Sequence, residues 1–213
     1  MYYKLNVDGS CCHTQCNYGI GGVIRDHQRN WIIGFAGGVQ QGSPTQIELL
    51  ALLKGLQIAA KQNQLPLIIE TDAQNVLGML NSPALNCINI VTDCRSLLQQ
   101  LDRASVQVIY REQNGVADTL AKYGAMHVQE QCLLFESPPL FAQSYYHQDH
   151  QGILHLRKTR QSSSSSYVNS TVCTKQPTLV ASALISSFAT PVGGNLSSKD
   201  PFVRMMPCRH PPL

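Results

Sequence analysis

The sequence predicts an α/β domain, and three observations lead to this expectation. Three strand patterns joined by short connections come first, a capped helix pattern follows them, and strand and helix patterns then alternate up to about residue 128. The short connections between the first three strands indicate an antiparallel meander. The predicted order is therefore three strands, a helix, a strand, helices, a strand and a last helix.

The first strand pattern leads to the first candidate functional residue. Apolar and polar side chains alternate over residues 3–7, which predicts a strand with one buried face. Gly9 and Ser10 interrupt this pattern, so we expect Asp8 at or near the end of the strand. A carboxylate this close to a buried layer costs free energy unless it is paired, hydrogen-bonded or coordinated.

The second candidate lies on the first helix. Two further strands are predicted at Tyr18–Arg25 and Trp31–Ala36, after a polar loop over residues 11–17. The next segment begins with the capping-box sequence Ser43-Pro44-Thr45-Gln46, which is typical of a helix start. Glu48 falls on the face of this helix that packs, where an apolar residue would be usual.

Two more candidate carboxylates belong to the later elements. Asp72 directly follows the apolar run Leu67–Thr71, which has the pattern of a buried strand. After two helix patterns, a fifth strand is predicted at Val106–Tyr110, and Asn114 can cap a last helix. Asp118 lies about one turn into this helix.

Composition changes near residue 131, and we place a domain boundary there. Residues 1–130 form the predicted domain, and residues 131–213 are expected to be a mostly disordered tail because they include a serine run, proline pairs and no long amphipathic pattern. The domain contains nine Lys and Arg against ten Asp and Glu, and the tail seven against three. Cations bound to the carboxylates would make the domain positive, so a polyanionic partner is not excluded.

The lack of a recognisable targeting signal and the scattered cysteines predict an intracellular protein. The N-terminus has no basic and apolar leader, and no apolar run reaches the ~18 residues of a membrane span. The eight cysteines are scattered, which is typical of a reduced chain rather than of a disulfide framework. The cysteines and histidine of residues 11–16 have irregular spacing for a zinc site.

Six blocks of the sequence, taken together, carry a family resemblance. They are Lys4–Ser10, Gly21–Asp26, Trp31–Ala36, Ile47–Leu52, Glu70–Asp72 and Arg111–Ala121. In order and in register, they resemble the ribonuclease H-like domain that is common in plant genomes and is related to the ribonuclease H module of retroelement reverse transcriptases. The similarity covers about residues 2–128.

The resemblance implies a ribonuclease H-like fold, a reaction and a set of metal ligands. The implied fold is a mixed five-stranded sheet, with three antiparallel strands followed by two parallel ones and helices on both faces. The implied reaction is cleavage of the RNA strand of an RNA–DNA hybrid with two Mg²⁺ ions, for which Mn²⁺ can substitute. The family's four acidic ligands, which are also its catalytic residues, match Asp8, Glu48, Asp72 and Asp118. Carboxylates suit this chemistry because Mg²⁺ prefers hard oxygen ligands.

Each carboxylate also has a simpler interpretation when it is considered alone. Asp8 could form a turn, Glu48 could face solvent, and Asp72 could cap a helix. Asp118 could be an exposed helix acid. The combination of the four with the matched blocks is what favours a shared metal site.

One position departs from the family pattern. The family often has an assisting histidine ten residues before the last aspartate, where this chain has Val108, which can neither titrate nor donate a hydrogen bond. The neighbouring Gln107 is polar, but alternation on a strand places it on the opposite face. This puts turnover in doubt more than metal binding.

Candidate nucleic-acid contacts lie near the carboxylates in the sequence. Gly9, Ser10 and Asn17 could meet the 2′-hydroxyl groups that distinguish RNA from DNA, although turn chemistry also accounts for them. Arg111 is a candidate phosphate contact, although surface cations are usually just solvated. The same applies to Arg25, Arg29, Lys54 and Lys61.

Three functions remain open at this stage. The first is a metal-dependent endonuclease acting on RNA–DNA hybrids, with turnover attenuated by Val108. The second is a nucleic-acid-binding module with little or no catalysis. The third is a fragment of a retroelement polyprotein. In each case we expect a monomer whose partner is nucleic acid rather than a membrane.

Overall fold

The computed structural model describes residues 1–12, 17–102, 104–128, 131–152 and 203–207, and within them it has seven strands and five α-helices. The strands are β1 (Tyr3–Cys12), β2 (Asn17–Asp26), β3 (Trp31–Val39), β4 (Leu67–Thr71), β5 (Ser105–Val108), β6 (Gln131–Phe135) and β7 (Val203–Pro207). The helices are α1 (Pro44–Lys61), α2 (Gln74–Asn81), α3 (Ile88–Gln100), α4 (Gly115–His127) and α5 (Gln143–His150).

One mixed sheet contains all of these strands, in the order β5-β4-β1-β2-β3-β6-β7. β1, β2 and β3 are antiparallel neighbours, whereas β4 is parallel to β1 and β5 is parallel to β4. This confirms the expected ribonuclease H-like arrangement. In the described residues, β6 and β7 extend the five expected strands, with antiparallel pairing of β6 to β3 and of β7 to β6.

Helices cover both faces of the sheet, as expected. α1 and α3 pack on one face, where Leu52 of α1 is fully buried in the main core. α4 packs on β1, β2 and β3 from the other face and buries Leu120 in a smaller cluster. The backbones of α4 and β2 approach closely, since a Cβ on Gly21 would lie 2.1 Å from the backbone nitrogen of Ala121.

The start of α1 has the predicted capping box. The backbone N–H of Gln46 donates to Ser43 Oγ at 3.3 Å, and the backbone N–H of Ser43 donates to Gln46 Oε1 at 2.8 Å. Pro44 occupies the first helical position. With 18 residues, α1 is long, but no helix in the described part of the chain combines the length and the apolar character that crossing a membrane requires.

The first strand is longer than predicted. β1 continues through Gly9 and Ser10 because both residues pair with β2 in an unbroken antiparallel ladder. The paired backbone groups outweigh the low strand preference of glycine. Cys11, Cys12 and Asn17, predicted to lie in a loop, therefore belong to β1 and β2, and residues 13–16 lie outside the described residues. Asp8 consequently lies in the middle of β1 rather than at its end.

The boundary expected near residue 130 also differs from the structure. Residues 131–152, expected to be disordered, contain β6 and α5. They were hard to predict because β6 is only five residues long and is ordered by pairing with the edge of β3, while α5 has no apolar stripe. The remainder of the predicted tail, residues 153–202 and 208–213, lies outside the described residues.

Candidate metal and nucleic-acid site

Two of the candidate carboxylates lie side by side on neighbouring parallel strands. The pairing of β1 with β4 ends where Asn6 meets Glu70. Asp8 and Asp72 each follow two residues later, and their carboxyl groups are in hydrogen-bonding contact. Asp8 is 6% exposed and Asp72 is half-buried. The sheet topology therefore creates a carboxylate pair from residues that are far apart in the sequence.

Glu48 reaches the same place from α1. Its Oε2 accepts a hydrogen bond of 3.0 Å from the backbone N–H of Gly9. Gly9 permits this close contact, since a Cβ there would lie 2.9 Å from the backbone nitrogen of Glu48. The carboxylate on the packing face of α1 therefore lies at the point where the helix touches β1.

Asp118 approaches from α4, on the other face of the sheet. Its backbone N–H donates to the carbonyl of Asn114 at 3.0 Å, which places it in the first turn of the helix. Its carboxylate is 2.6 Å from Lys122 Nζ and 3.8 Å from an Arg111 nitrogen. Asp118 is therefore held by two cations at the solvent side of the site.

The four carboxylates influence one another's ionisation. Burial raises the pKa of Asp8 to about 9, and three negative charges add to this rise, in the order Glu48, Asp72 and Asp118. Burial, followed by the charge of Asp72, raises the pKa of Glu48 to about 7. Such effects require close approach, so the structure brings the four predicted residues to one region.

The arrangement is not a closed metal cage. Among the described residues, no group of three or more Asp, Glu, His or Cys side chains is close enough to hold a metal ion. The Asp118 carboxylate instead pairs with Lys122. Since the side chain of Lys122 is 52% exposed, this ion pair is worth little free energy.

Asn114 is a functional residue whose role differs from the expected one. It was expected to cap α4, but its side chain makes no capping bond. Instead, its Nδ2 donates to Asp72 Oδ1 at 2.8 Å and to the carbonyl of Val7 at 2.9 Å, and its Oδ1 accepts from Asn6 Nδ2 at 3.3 Å. Asn114 therefore connects the start of α4 to the middle of β1 and to the residue that follows β4.

Glu70 is a further member of the site that sequence reasoning missed. It is 5% exposed and accepts hydrogen bonds from Lys4 at 2.6 Å, Gln107 at 2.9 Å and Asn6 at 3.1 Å. A signal was present, because each of the two strand carboxylates has a polar residue two positions earlier, on the same face of its strand. Such spacing indicates a polar layer rather than an isolated acid.

Comparison with known families decides the classification. A family model described as reverse transcriptase-like matches residues 6–124. The chain belongs to the reverse transcriptase-like family. A "Putative ribonuclease H protein" of Arabidopsis thaliana is 30% identical over 125 residues, which are 57% of this chain and 20% of that relative. The chain thus spans about a fifth of the length of this curated relative.

Solved structures show the fold of this reverse transcriptase-like chain. RNase H1 from the halophilic archaeon Halobacterium salinarum NRC-1 superposes with a TM-score of 0.55 at 20% identity, over 58% of this chain and 97% of that one. LC11-RNase H1 in complex with an RNA/DNA hybrid gives 0.52 at 16% identity, over 58% and 96%. At these identities the similarity establishes the ribonuclease H-like fold.

Some candidate nucleic-acid contacts of the reverse transcriptase-like domain are near the carboxylates. Ser10 and Asn17 are half-buried residues of the paired strands β1 and β2. Ser10 lies two residues after Asp8 in β1, and Asn17 of β2 pairs with Cys12 at the end of β1. The side chain of Arg111 is 77% exposed and lies beside Asp118. These positions leave Arg111 accessible to a ligand.

Two arginines that are candidate phosphate contacts have partners within the chain. Arg25 is 6% exposed, forms an ion pair with Asp149 and donates to Asn6 Oδ1 at 2.6 Å. Arg29 donates to the backbone carbonyl of Asp149 at 3.2 Å. Both arginines therefore face α5, whose presence the sequence did not indicate.

Val108 is the last residue of β5 and pairs with Thr71, directly before Asp72. It is half-buried. The side chain of Gln107 donates to Glu70, so strand alternation directs Val108 to the opposite face. Because Glu70 shares a face of β4 with Asp72, Val108 rather than Gln107 is turned away from that face, which differs from the expectation for these two positions.

Proposed function

We propose that this domain is a metal-dependent endonuclease that cleaves the RNA strand of RNA–DNA hybrids. The observation that carries the proposal is geometric: the pairing of β1 with β4 places Asp8 beside Asp72, and the backbone N–H of Gly9 holds Glu48 of α1 against the same strand. Burial and the neighbouring carboxylates raise the pKa of Asp8 to about 9. Strongly perturbed carboxylates gathered at one place are typical of a functional site. The fold shared with RNase H1 is consistent with this assignment.

The donor set fits two divalent cations, Mg²⁺ with Mn²⁺ as a substitute. The proposed ligands and catalytic residues are Asp8, Glu48, Asp72 and Asp118, which all offer the hard oxygen atoms that Mg²⁺ prefers. When bound, the two ions would supply the positive charge that stabilises the attacking and leaving oxygens of an in-line displacement at a phosphate. Asp8 would release its proton as the ions bind, because a ligand must be deprotonated.

The backbone and amide contacts of the site would keep the ligands in place. The N–H of Gly9 holds Glu48 against β1, and the Asn114 amide holds Asp72 against the start of α4. Such support matters because a misplacement of about 1 Å at a reacting centre can lower a rate about 100-fold.

The proposed substrate is an RNA–DNA hybrid that a monomer of the domain binds across the carboxylate edge. In this proposal Gly9, Ser10 and Asn17 lie along the RNA strand and meet its 2′-hydroxyl groups. Arg111 contacts a phosphate, since its side chain, although near Asp118, is 77% exposed and accessible to a ligand. The LC11-RNase H1 structure contains such a hybrid, which supports the substrate class at the level of the shared fold.

We propose that turnover is attenuated because Val108 replaces the assisting histidine. Proton transfer by a positioned side chain typically contributes ~10²–10⁴-fold to a rate, so a residual metal-dependent activity is expected to remain. Hybrid affinity should be preserved, since phosphate contacts do not involve this side chain.

Val108 also favours a second candidate function, a nucleic-acid-binding module with little catalysis. A third candidate is a fragment of a retroelement polyprotein. It is favoured by the much greater length of the Arabidopsis relative, because the matched region makes up only 20% of that protein. The sequence that flanks the coding region would test the third candidate.

A hybrid-cleavage assay separates the first two candidates. The full chain is incubated with a labelled RNA–DNA hybrid in Mg²⁺, in Mn²⁺ and in chelator, beside a DNA duplex of the same sequence. The proposal expects slow, metal-dependent cleavage of the RNA strand only. It also expects no cleavage by Asp8→Asn, and unchanged cleavage by Asp93→Asn, which alters an exposed acid of α3. Hybrid binding without cleavage in either metal would favour the binding module.

A further inference from the structure

We propose that α5 supports the carboxylate site, with Asp149 as a positioning residue that acts on Asp72. α5 lies outside residues 6–124, which the reverse transcriptase-like model matches. An unbroken series of polar contacts connects it to the site, and the series runs through Asp149, Arg25, Asn6, Asn114 and Asp72. The catalytic consequence of this inference rests on the proposed function.

The first step of the series attaches α5 to the β2–β3 hairpin. Asp149 Oδ2 accepts from Arg25 Nη1, and the carbonyl of Asp149 accepts from Arg29 at 3.2 Å. The hydroxyl of Tyr146 accepts from the backbone N–H of Trp31 at 3.2 Å, and their rings meet edge to face at 5.6 Å. The ion pair and the aromatic contact together fix the position of the Asp149 carboxylate.

Arg25 then determines the orientation of two side-chain amides. Because a guanidinium only donates, Asn6 must present its Oδ1 to Arg25 Nη2, at 2.6 Å. The Asn6 amide nitrogen consequently faces Asn114 Oδ1. The amide nitrogen of Asn114 is thereby directed to Asp72 and to the carbonyl of Val7. Asn6 Nδ2 also donates to Glu70 Oε2 at 3.1 Å, so Arg25 and Glu70 hold this amide together. Loss of the Arg25 contact would loosen Asn6 and, through it, the support of Asn114 and Asp72.

Burial makes this series sensitive to the loss of one member. The interior residues Asn6, Arg25 and Asn114 are 1%, 6% and 1% exposed, so bulk water has little access to replace a lost partner. A buried guanidinium without its counter-charge is unfavourable and would draw on other acceptors. Asp149, with a side chain that is 33% exposed, is the point at which the series reaches the surface.

α5 also contacts the start of α4 directly. A Cβ on Gly115 would lie 2.9 Å from Cδ1 of Tyr145, and Gly115 immediately follows Asn114. The helix therefore supports Asn114 by two routes, through the polar series and through the backbone that carries it.

The test uses the full chain with Asp149→Ala, the milder Asp149→Asn, and Glu136→Gln as a control at an exposed acid of the same segment. The side-chain amide NMR signals of Asn6 and Asn114 report the orientation of the series without any need for activity. We expect both signals to shift in the Asp149 variants, and more with Ala than with Asn, which keeps an acceptor. We expect no shift in the control.

Binding of Mn²⁺ and hybrid cleavage then measure the consequence for the site. Loss of an outer-shell partner of a ligand typically lowers metal affinity ~10–100-fold, and the more remote Asp149 should contribute roughly 3–10-fold. The turnover number should fall more in Asp149→Ala than in Asp149→Asn, while KM stays unchanged because Asp149 does not touch the substrate.

Two results would overturn the inference. Unchanged Asn6 and Asn114 signals in folded Asp149→Ala would show that α5 does not orient the amides. Shifted signals with unchanged Mn²⁺ affinity would show that the series has a structural role only. If the wild-type chain neither binds Mn²⁺ nor cleaves the hybrid, the proposed function fails, and the amide signals alone decide whether α5 orients Asn114.

Discussion

Asp8 and Asp118 belong to the same candidate site, but their surroundings give them different properties. Asp8 is buried and its pKa rises to about 9, whereas Asp118 is 20% exposed on its side chain and lies 2.6 Å from Lys122. An incoming cation must therefore displace a proton from the first and a lysine from the second. Divalent-ion affinity should accordingly increase with pH up to about 9, which a Mn²⁺ titration at several pH values would measure.

The pH dependence of stability provides a first prediction at the scale of residues. Because the pKa of Asp8 is about 9 in the folded chain and near 3.8 when unfolded, the folded state binds the extra proton between these values. Its stability should therefore fall as pH rises from about 4 to about 9. Asp8→Asn removes this pH-dependent loss of stability, so the variant should have a higher melting temperature than the wild type at pH 8 in chelator.

The difference in melting temperature between Asp8→Asn and the wild type isolates the effect of Asp8 from that of the other titrating groups. It should shrink as the pH approaches 4, and Asp93→Asn, at an exposed position of α3, should show no such trend. An Asp8→Asn variant that is less stable than the wild type at pH 8 would mean that the carboxylate is favourably bound in the metal-free protein.

A second prediction at this scale concerns Val108. Val108→His should raise kcat toward the ~10²–10⁴-fold contribution of a positioned acid–base group, with little change in KM. Steady-state hybrid cleavage measures both constants. Gln99→His, at an exposed position of α3, is the control. An equal gain in the control, or a loss of stability without any gain at Val108, would count against the assisting role.

At the scale of elements, glycines determine how closely α4 approaches the sheet. A Cβ on Gly21 would lie 2.1 Å from the backbone nitrogen of Ala121, and backbone cannot move aside as a flexible side chain can. Gly21→Ala should therefore destabilise the domain by roughly 3 kcal/mol, the upper end for overpacking. Gly78→Ala in α2 is the control, because nothing lies within 4 Å of its Cβ, and it should stabilise by about 0.5–1 kcal/mol. Denaturant unfolding measures both, and equal effects would mean that α4 is free to move.

Elements with strong local signals were predictable from the sequence. The capping box at Ser43 fixed the start of α1, and the matched blocks gave the five strands and the four carboxylates. What could not be predicted depends on contacts between distant segments. β1 extends past Gly9 because β2 pairs with it, and β6 forms because the edge of β3 is free to pair. The side chain of Asn114 leaves its helix because Asp72 and Val7 offer acceptors.

At the scale of the whole molecule, the ordered structure extends past the residues that the family model matches. β6 covers the edge of β3, and the indole nitrogen of Trp31 donates to the carbonyl of Phe135 at 2.9 Å. A chain that ends after residue 130 should therefore melt at a lower temperature than one that ends after residue 152, because it exposes a strand edge and loses these contacts. Equal melting temperatures in calorimetry would mean that residues 131–152 are not part of the folded unit.

The proposed function requires that four carboxylates from four elements hold divalent cations. Anomalous diffraction from crystals of the full chain soaked in Mn²⁺ tests it most directly. We expect one or two manganese peaks at coordination distance from carboxyl oxygens of Asp8, Glu48, Asp72 and Asp118, with Asp118 released from Lys122. A fully soaked crystal without a manganese peak among these four residues would contradict it.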